Sequence, residues 1–182
     1  MPRPPFVYQS NTHSLAHLEP FVHTYIIAAV TNKPERRYVV YVDFTLHCFT
    51  KTQQATDDPA LFYCLDRDNS PRSFNFERWN LSLHLPAIVR GLLTQRVYFT
   101  AERKGNHRDN FITVPLMQQN SSVVNYEVYF KVFKPGGKIY LEVESAYTRA
   151  VDSSNAPSLG RKIGFAVILQ KIFTGEPLFK LR

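Results

Sequence analysis

The sequence predicts an α+β domain, a largely antiparallel twisted sheet packed with a few short helices. Three observations carry that expectation. Residues 38–50, 124–133 and 138–147 alternate apolar and polar side chains with the period of two that a half-buried strand requires. Residues 134–137, Lys-Pro-Gly-Gly, place a turn signal between the last two runs. Residues 74–93 carry helix signals instead, with Ser73 or Asn75 as a cap and Glu77 in the first turn.

Along the chain, residues 1–11 read as a flexible proline-rich tail and 12–182 as a single domain. Residues 12–20 read as a short helix capped by Thr12 and ended by Pro20. The apolar run 21–30 and the run 38–50 are separated by a polar turn, 31–37, and suggest a hairpin. In the strand 38–50, Tyr38, Val40, Val42, Phe44, Leu46 and Cys48 share the apolar face. Val39, Tyr41, Asp43, Thr45, His47 and Phe49 share the other, which is either solvated or part of a cleft. A loop at 51–60, a short strand at 61–65 and a loop at 66–72 follow. Pro86 interrupts the helical region 74–93, because proline lacks an amide proton and clashes with the preceding turn, so two short helices or one kinked helix are expected.

Four strands come next, at 96–101, 110–117, 124–133 and 138–147. With Phe133 opposite Lys138, the apolar residues match as Val132 with Ile139, Phe130 with Leu141 and Val128 with Val143. A slip of one residue would turn every side chain to the wrong face. This register sets Tyr126 opposite Ser145, with Ser145 and Tyr147 on the side of Ile139, Leu141 and Val143. A loop at 148–160 and a last apolar strand at 162–173 complete the reading.

Composition limits the functional classes. Lysine and arginine outnumber aspartate and glutamate 22 to 15, a net charge of +7 that favours polyanionic partners such as RNA. No apolar stretch reaches the ~18 residues that span a bilayer, and no apolar core follows the N-terminus as in a signal peptide. A cytoplasmic location without membrane association is therefore expected, with Cys48 and Cys64 as reduced thiols. His13 and His17 have i, i+4 spacing without the glutamate of a zincin motif, and phosphate-binding glycine loops and nucleophile elbows are absent. Neither a metal nor a cofactor is expected.

The candidate site residues are polar groups at element ends or on mixed faces. His47 reads as an acid or base for phosphodiester chemistry, or as a hydrogen-bonded structural histidine. Thr50 lies close to it. Arg72, Arg78 and Ser82 surround the first helical region, and Arg78 and Ser82 are one turn apart. Their guanidinium forks suit a phosphate, or surface salt bridges with Asp66, Asp68 or Glu77. Arg103 and Arg108 lie in the polar segment 102–110 with Lys104 and His107, a phosphate-binding cluster or a solvated turn. Asn110 orients a substrate group or closes that turn. Ser145 and Tyr147 end the strongest strand, at a pocket rim or in the core.

Several of these pieces resemble a group of small bacterial and prophage proteins, some of them named stationary phase growth adaptation protein. The matching pieces are His47-Cys48-Phe49-Thr50, Arg72-Ser73-Phe74 with Arg78, Leu81-Ser82, Leu85-Pro86, Asn110-Phe111 and Ser145-Ala146-Tyr147. They span about 37–147, and Trp79 stands where that group would carry a tyrosine. The arrangement of helices ahead of an antiparallel sheet also looks like the barnase, colicin and RelE type of ribonuclease. That resemblance implies RNA cleavage without a metal and fixes no residue's role.

The expected function is thus a metal-independent RNA endonuclease, toxin-like or linked to stress or phage. The RNA 2′-hydroxyl attacks phosphorus, with His47 as base or acid and Arg78 and Arg72 stabilising the phosphorane. Ser145 and Tyr147 position phosphate or base, and Thr50, Ser82, Arg103, Arg108 and Asn110 contact the substrate. A non-catalytic regulator that binds nucleic acid or a protein partner is the alternative.

Overall fold

The structure is a computed structural model, and it describes residues 3–31, 34–100, 110–117, 123–148 and 159–177. The fold is α+β. Its centre is a seven-stranded sheet ordered β12-β8-β9-β10-β11-β4-β3. In chain order these strands are β3 (Phe21–Ile27), β4 (Arg36–Phe44), β8 (Arg96–Thr100), β9 (Asn110–Met117), β10 (Val123–Phe133), β11 (Ile139–Thr148) and β12 (Leu159–Gly164). Neighbours pair antiparallel except β11 and β4, which run parallel. A smaller sheet orders β5 (Thr50–Thr52), β7 (Pro71–Phe74) and β6 (Phe62–Leu65). A hairpin pairs β1 (Phe6–Tyr8) with β2 (Asn11–His13).

Three helices are described: α1 (Phe76–Ser82), α2 (Leu85–Arg90) and α3 (Phe165–Thr174). Asn75 caps α1 by accepting from the Arg78 N–H, and Pro86 sits in the first turn of α2, so the helical region splits as expected. Both α2 and α3 cover the inner face of the large sheet. Tyr25 donates to the Val89 carbonyl at 2.6 Å, and Phe165 meets Tyr25 and Phe130 edge-on at 5.0 and 6.0 Å. Val40, Val42, Phe44, Leu141 and Val143 are buried beneath them. None of the described helices is long and apolar enough to cross a membrane.

Several elements differ from the sequence reading. The supposed tail is a hairpin from Phe6, whose ring is buried and stacks on Phe74 at 4.2 Å. Its turn residues, Gln9 and Ser10, have φ of 47° and 65°, a conformation that glycine or asparagine normally announces. Residues 12–20 form the end of β2 and a single 3₁₀ turn, not a helix. The strand read as 38–50 stops at Phe44. Thr45 then accepts from the His47 N–H and opens a 3₁₀ turn, Leu46–Cys48, before β5 begins. The loop read as 66–72 runs into β7.

The β10–β11 register is also longer-looped. Val132 pairs with Leu141 and Phe130 with Val143, two residues beyond the expected pairing. A shift of two preserves both faces, and Gly136 and Gly137, with φ of 56° and 84°, accommodate the wider turn. A bulge then inserts Glu144, so Tyr129 pairs with Ser145 and Val128 with Ala146. The bulge resets the alternation. Ala146 takes the core position, and Ser145 and Tyr147 leave the side of Val143. The segment read as a final strand is mostly α3, which buries Phe165, Ile168 and Leu169 and ends at Gly175 with φ 73°. The i, i+3, i+4 spacing of those residues wins over their β propensity.

Candidate functional site

The 3₁₀ turn after β4 is where the candidate residues meet. Thr45 starts it, its hydroxyl donating to the Glu144 carbonyl and its N–H to the Val143 carbonyl, both at the β11 bulge. The turn lifts the His47 ring out of the sheet. Its Nε2 lies 2.7 Å from Asp66 Oδ2, and the ring is 38% exposed. Asp66 stands on a tight turn whose Asn69 has φ 61°. Its carboxyl is held below the usual carboxylate range, chiefly by the Arg67 backbone N–H, with His47 and Arg72 adding to the effect. With Nε2–H donated to Asp66, a neutral His47 keeps its lone pair on Nδ1.

Beneath the turn lie two arginines. Arg78 donates from one terminal nitrogen to the carbonyls of His47 and Thr50, at 3.1 and 2.8 Å. Its guanidinium stands 5.2 Å over the Tyr147 ring. Burial, followed by the neighbouring Arg72 cation, lowers its pKa from the ordinary arginine value. Arg78 is half-buried, and its Nε and second terminal nitrogen have no hydrogen-bond partner among the described residues. Arg72 is buried, and each of its three nitrogens has a partner. Its Nε and one terminal nitrogen donate to Thr50 Oγ1 and Thr52 Oγ1, and the third nitrogen to the Thr50 carbonyl. Thr50 Oγ1 in turn donates to the Leu46 carbonyl at 2.8 Å. Arg72 and Thr50 thus brace the turn, while Arg78 retains donors for another group.

Tyr147 lies against Arg78 and stacks on Tyr129, 5.5 Å away and tilted by 15°. The Tyr129 hydroxyl donates to Glu127 Oε2 at 2.6 Å, and burial pushes its pKa up. The Thr148 hydroxyl donates to Glu77, fixing α1 at the end of β11. The buried Tyr126 hydroxyl has no hydrogen-bond partner among the described residues, and burial raises its pKa beside Arg78.

His47, Thr50, Arg72, Arg78 and Tyr147 are therefore drawn together by the turn, α1 and the end of β11. Ser145 is two residues from Tyr147 and faces Tyr129 across the ladder. Ser82 is not on this rim. It is buried, donates to the Trp79 carbonyl at 2.7 Å and lies 2.7 Å from His17 Nε2. Arg103 and Arg108, with Lys104 and His107, lie outside the described residues. Asn110 begins β9, and its backbone pairs with Phe99 and Phe130. His13 packs among Phe6, Phe74, Phe76 and Trp79. Among the described residues no group of three or more His, Cys, Asp or Glu side chains is placed to hold a metal ion. Cys48 and Cys64 are free thiols, and burial pushes Cys48 up to about 12.

Asp66 as the partner of His47 did not emerge from the sequence. A signal existed in Asp66-Arg67-Asp68-Asn69, a turn sequence that projects its first carboxylate, but nothing there points nineteen residues back. The chain matches the model of the YjaZ family over residues 5–173. No curated protein and no solved structure matches it.

Proposed function

The chain belongs to the YjaZ family, and we propose that it acts on RNA as a metal-independent endonuclease. The observation that carries this reading is the partly exposed His47 ring, held through Nε2 by Asp66, above a half-buried Arg78 with unspent donors. His47 Nδ1 takes the proton of the RNA 2′-hydroxyl as its oxygen bonds to phosphorus. The 5′-oxygen leaves with a proton returned by the imidazolium or by water. Arg78 stabilises the charge that develops on the phosphorane. Tyr147 positions the nucleotide through the Arg78 guanidinium held against its ring, with Ser145 two residues away on the strand. Arg72, Thr50 and Ser82, which the sequence placed among the substrate contacts, hold the scaffold. Under this reading the protein works in the cytoplasm, and a protein inhibitor is the partner expected of a toxin-like nuclease.

Purified protein is expected to cleave RNA in EDTA and leave a 2′,3′-cyclic phosphate, with DNA uncut for want of the 2′-hydroxyl. His47→Ala should slow cleavage by ~10²–10⁴-fold, the range for a lost acid–base group. Asp66→Asn should slow it less, since Asp66 orients the ring without touching substrate. Unchanged cleavage in His47→Ala would sink the mechanism. A second reading, a non-catalytic RNA-binding module, is favoured by the number of arginine donors already committed to the fold. RNA binding with no cleavage would select it.

A further inference from the structure

We propose that the open face of the large sheet is a platform for single-stranded RNA. At one end of its aromatic row, a hollow takes an unpaired base that carries an exocyclic amino group. This names a substrate contact for the RNA reading above and rests on it.

The geometry starts from strand pairing. Val22 pairs with Tyr41, Tyr41 with Tyr140, and Tyr140 with Phe133, so four side chains from four adjacent strands form one row. All four lie on the face opposite the core residues Val40, Val42, Leu141 and Val132. Tyr41 and Tyr140 stack at 5.3 Å with a 29° tilt, and Tyr140 and Phe133 at 5.7 Å with 18°. The ends of the row are open, with Val22 56% and Phe133 41% exposed. Rings already stacked in register offer a surface that a base can extend. Unpaired bases use such surfaces, whereas a duplex keeps its base faces covered.

Beside the row, Pro20, Val22, Tyr41 and Tyr140 wall a hollow of about 240 Å³, with Asp43 at its edge. That lies below the roughly 300–1,000 Å³ of pockets for drug-sized ligands and suits one planar ring system. Asp43 Oδ1 accepts from the Phe44 N–H at 2.7 Å and from Arg3 at 3.2 Å. Oδ2 has no partner among the described residues, and the side chain is 55% exposed. A carboxylate accepts from the amino group of cytosine, whereas uracil presents a carbonyl oxygen at the same ring position.

One lysine beside the row suits a phosphate of the same strand. Lys138 places its ammonium 5.4 Å over Tyr41, so that flank of the hollow has a cation for a phosphate, whereas Arg3 is paired with Asp43 and the Phe44 carbonyl. Lys131 and Arg37 nearby are already paired with Glu144 and Glu35, and Glu142 lies next to Asp43 across the ladder. The phosphate path is thus confined to the Lys138 flank.

The test is fluorescence anisotropy of short labelled oligocytidylate and oligouridylate with the full-length His47→Ala chain, which keeps the RNA intact. Oligocytidylate should bind more tightly than oligouridylate, and duplex RNA weakly. Tyr41→Ala should weaken oligocytidylate binding by about 5- to 100-fold, the loss of one stacked base, and Tyr140→Ala, which removes the ring behind Tyr41 and a wall of the hollow, should weaken it several-fold, while Tyr140→Phe retains binding. Asp43→Asn should abolish the preference over oligouridylate, because an amide also donates to the uracil oxygen. Unchanged affinity in the alanine variants, or no base preference, would overturn the proposal. So would free cytidine monophosphate binding as well as the oligomer, since that makes the hollow a mononucleotide site. Sedimentation showing a dimer that Tyr140→Ala dissociates would assign the face to a second copy. The two readings fail separately: intact binding without wild-type cleavage removes the nuclease alone, and cleavage with unchanged affinity in Tyr140→Ala removes the platform alone.

Discussion

The two faces of the large sheet are built from similar residues and meet different surroundings. On β4, Tyr38, Val40, Val42 and Phe44 are buried, while Val39 and Asp43 between them are exposed and Tyr41 is half-buried. On β10 and β11 the contrast repeats, with Phe130 buried and Phe133 open. Tyrosine, valine and phenylalanine occur on both sides. What distinguishes the faces is cover: α2 and α3 close one side, and no described helix lies on the row of Tyr41, Tyr140 and Phe133. A monomer seldom leaves such a stacked row open without a use for it. The comparison therefore separates residues that hold the fold from residues free to meet a ligand.

The largest effect that would break this comparison concerns two phenylalanines on one strand. Phe130→Ala should destabilise the protein by about 3–5 kcal/mol, the range for removing a core aromatic. Phe133→Ala should cost less than ~1 kcal/mol, as partly exposed substitutions do. Urea unfolding at neutral pH measures both. Equal losses would mean that the outer row is covered in solution, and the two-face division would fail.

How legible each face was follows from what sets it. The β3–β4 pairing, the split of the helical region near Pro86 and the inner face of β4 depend on local alternation and on proline, so the sequence showed them. The Gln9-Ser10 turn was hidden because neither residue advertises a positive φ. The Glu144 bulge was hidden because one inserted residue leaves no mark in the pattern, yet it decides where Ser145 and Tyr147 point. In the candidate site, His47 and Arg78 were visible as isolated polar residues. Their arrangement was not, since it depends on a 3₁₀ turn in a run that reads as continuous strand and on Asp66 from another loop. The outer row needed the true register, which the turn 134–138 set two residues further on.

A middle-sized effect sharpens the division at the rim, where the faces meet. Arg78→Ala leaves the His47 carbonyl without its donor and the Thr50 carbonyl with Arg72 alone. A loss of about 1–3 kcal/mol is expected, the range for one unsatisfied buried group. Arg78→Lys should recover part of the stability, because one ammonium can reach both carbonyls. It should recover little cleavage, because the planar fork is gone. Full recovery of cleavage with lysine would reduce Arg78 to a simple point charge.

The smallest effect lies on the covered side and is driven by pH. Burial lowers the pKa of His17, whose Nε2 meets Ser82, and burial with the Arg90 cation lowers that of His23. For a histidine whose folded pKa falls below its unfolded value of 6.5, the unfolded chain binds the proton first. The stabilisation is complete above pH 6.5 and is lost as pH falls through the folded pKa. The melting temperature should therefore drop on acidification from neutrality to about pH 5, before most carboxylates titrate. His17→Gln keeps a side-chain donor for Ser82 and removes one titration, so its decline with acid should be shallower than that of the wild type. If the decline keeps its full slope, His17 is not held in the covered side, and the N-terminal segment is anchored by the aromatic contacts of Phe6 and His13 instead.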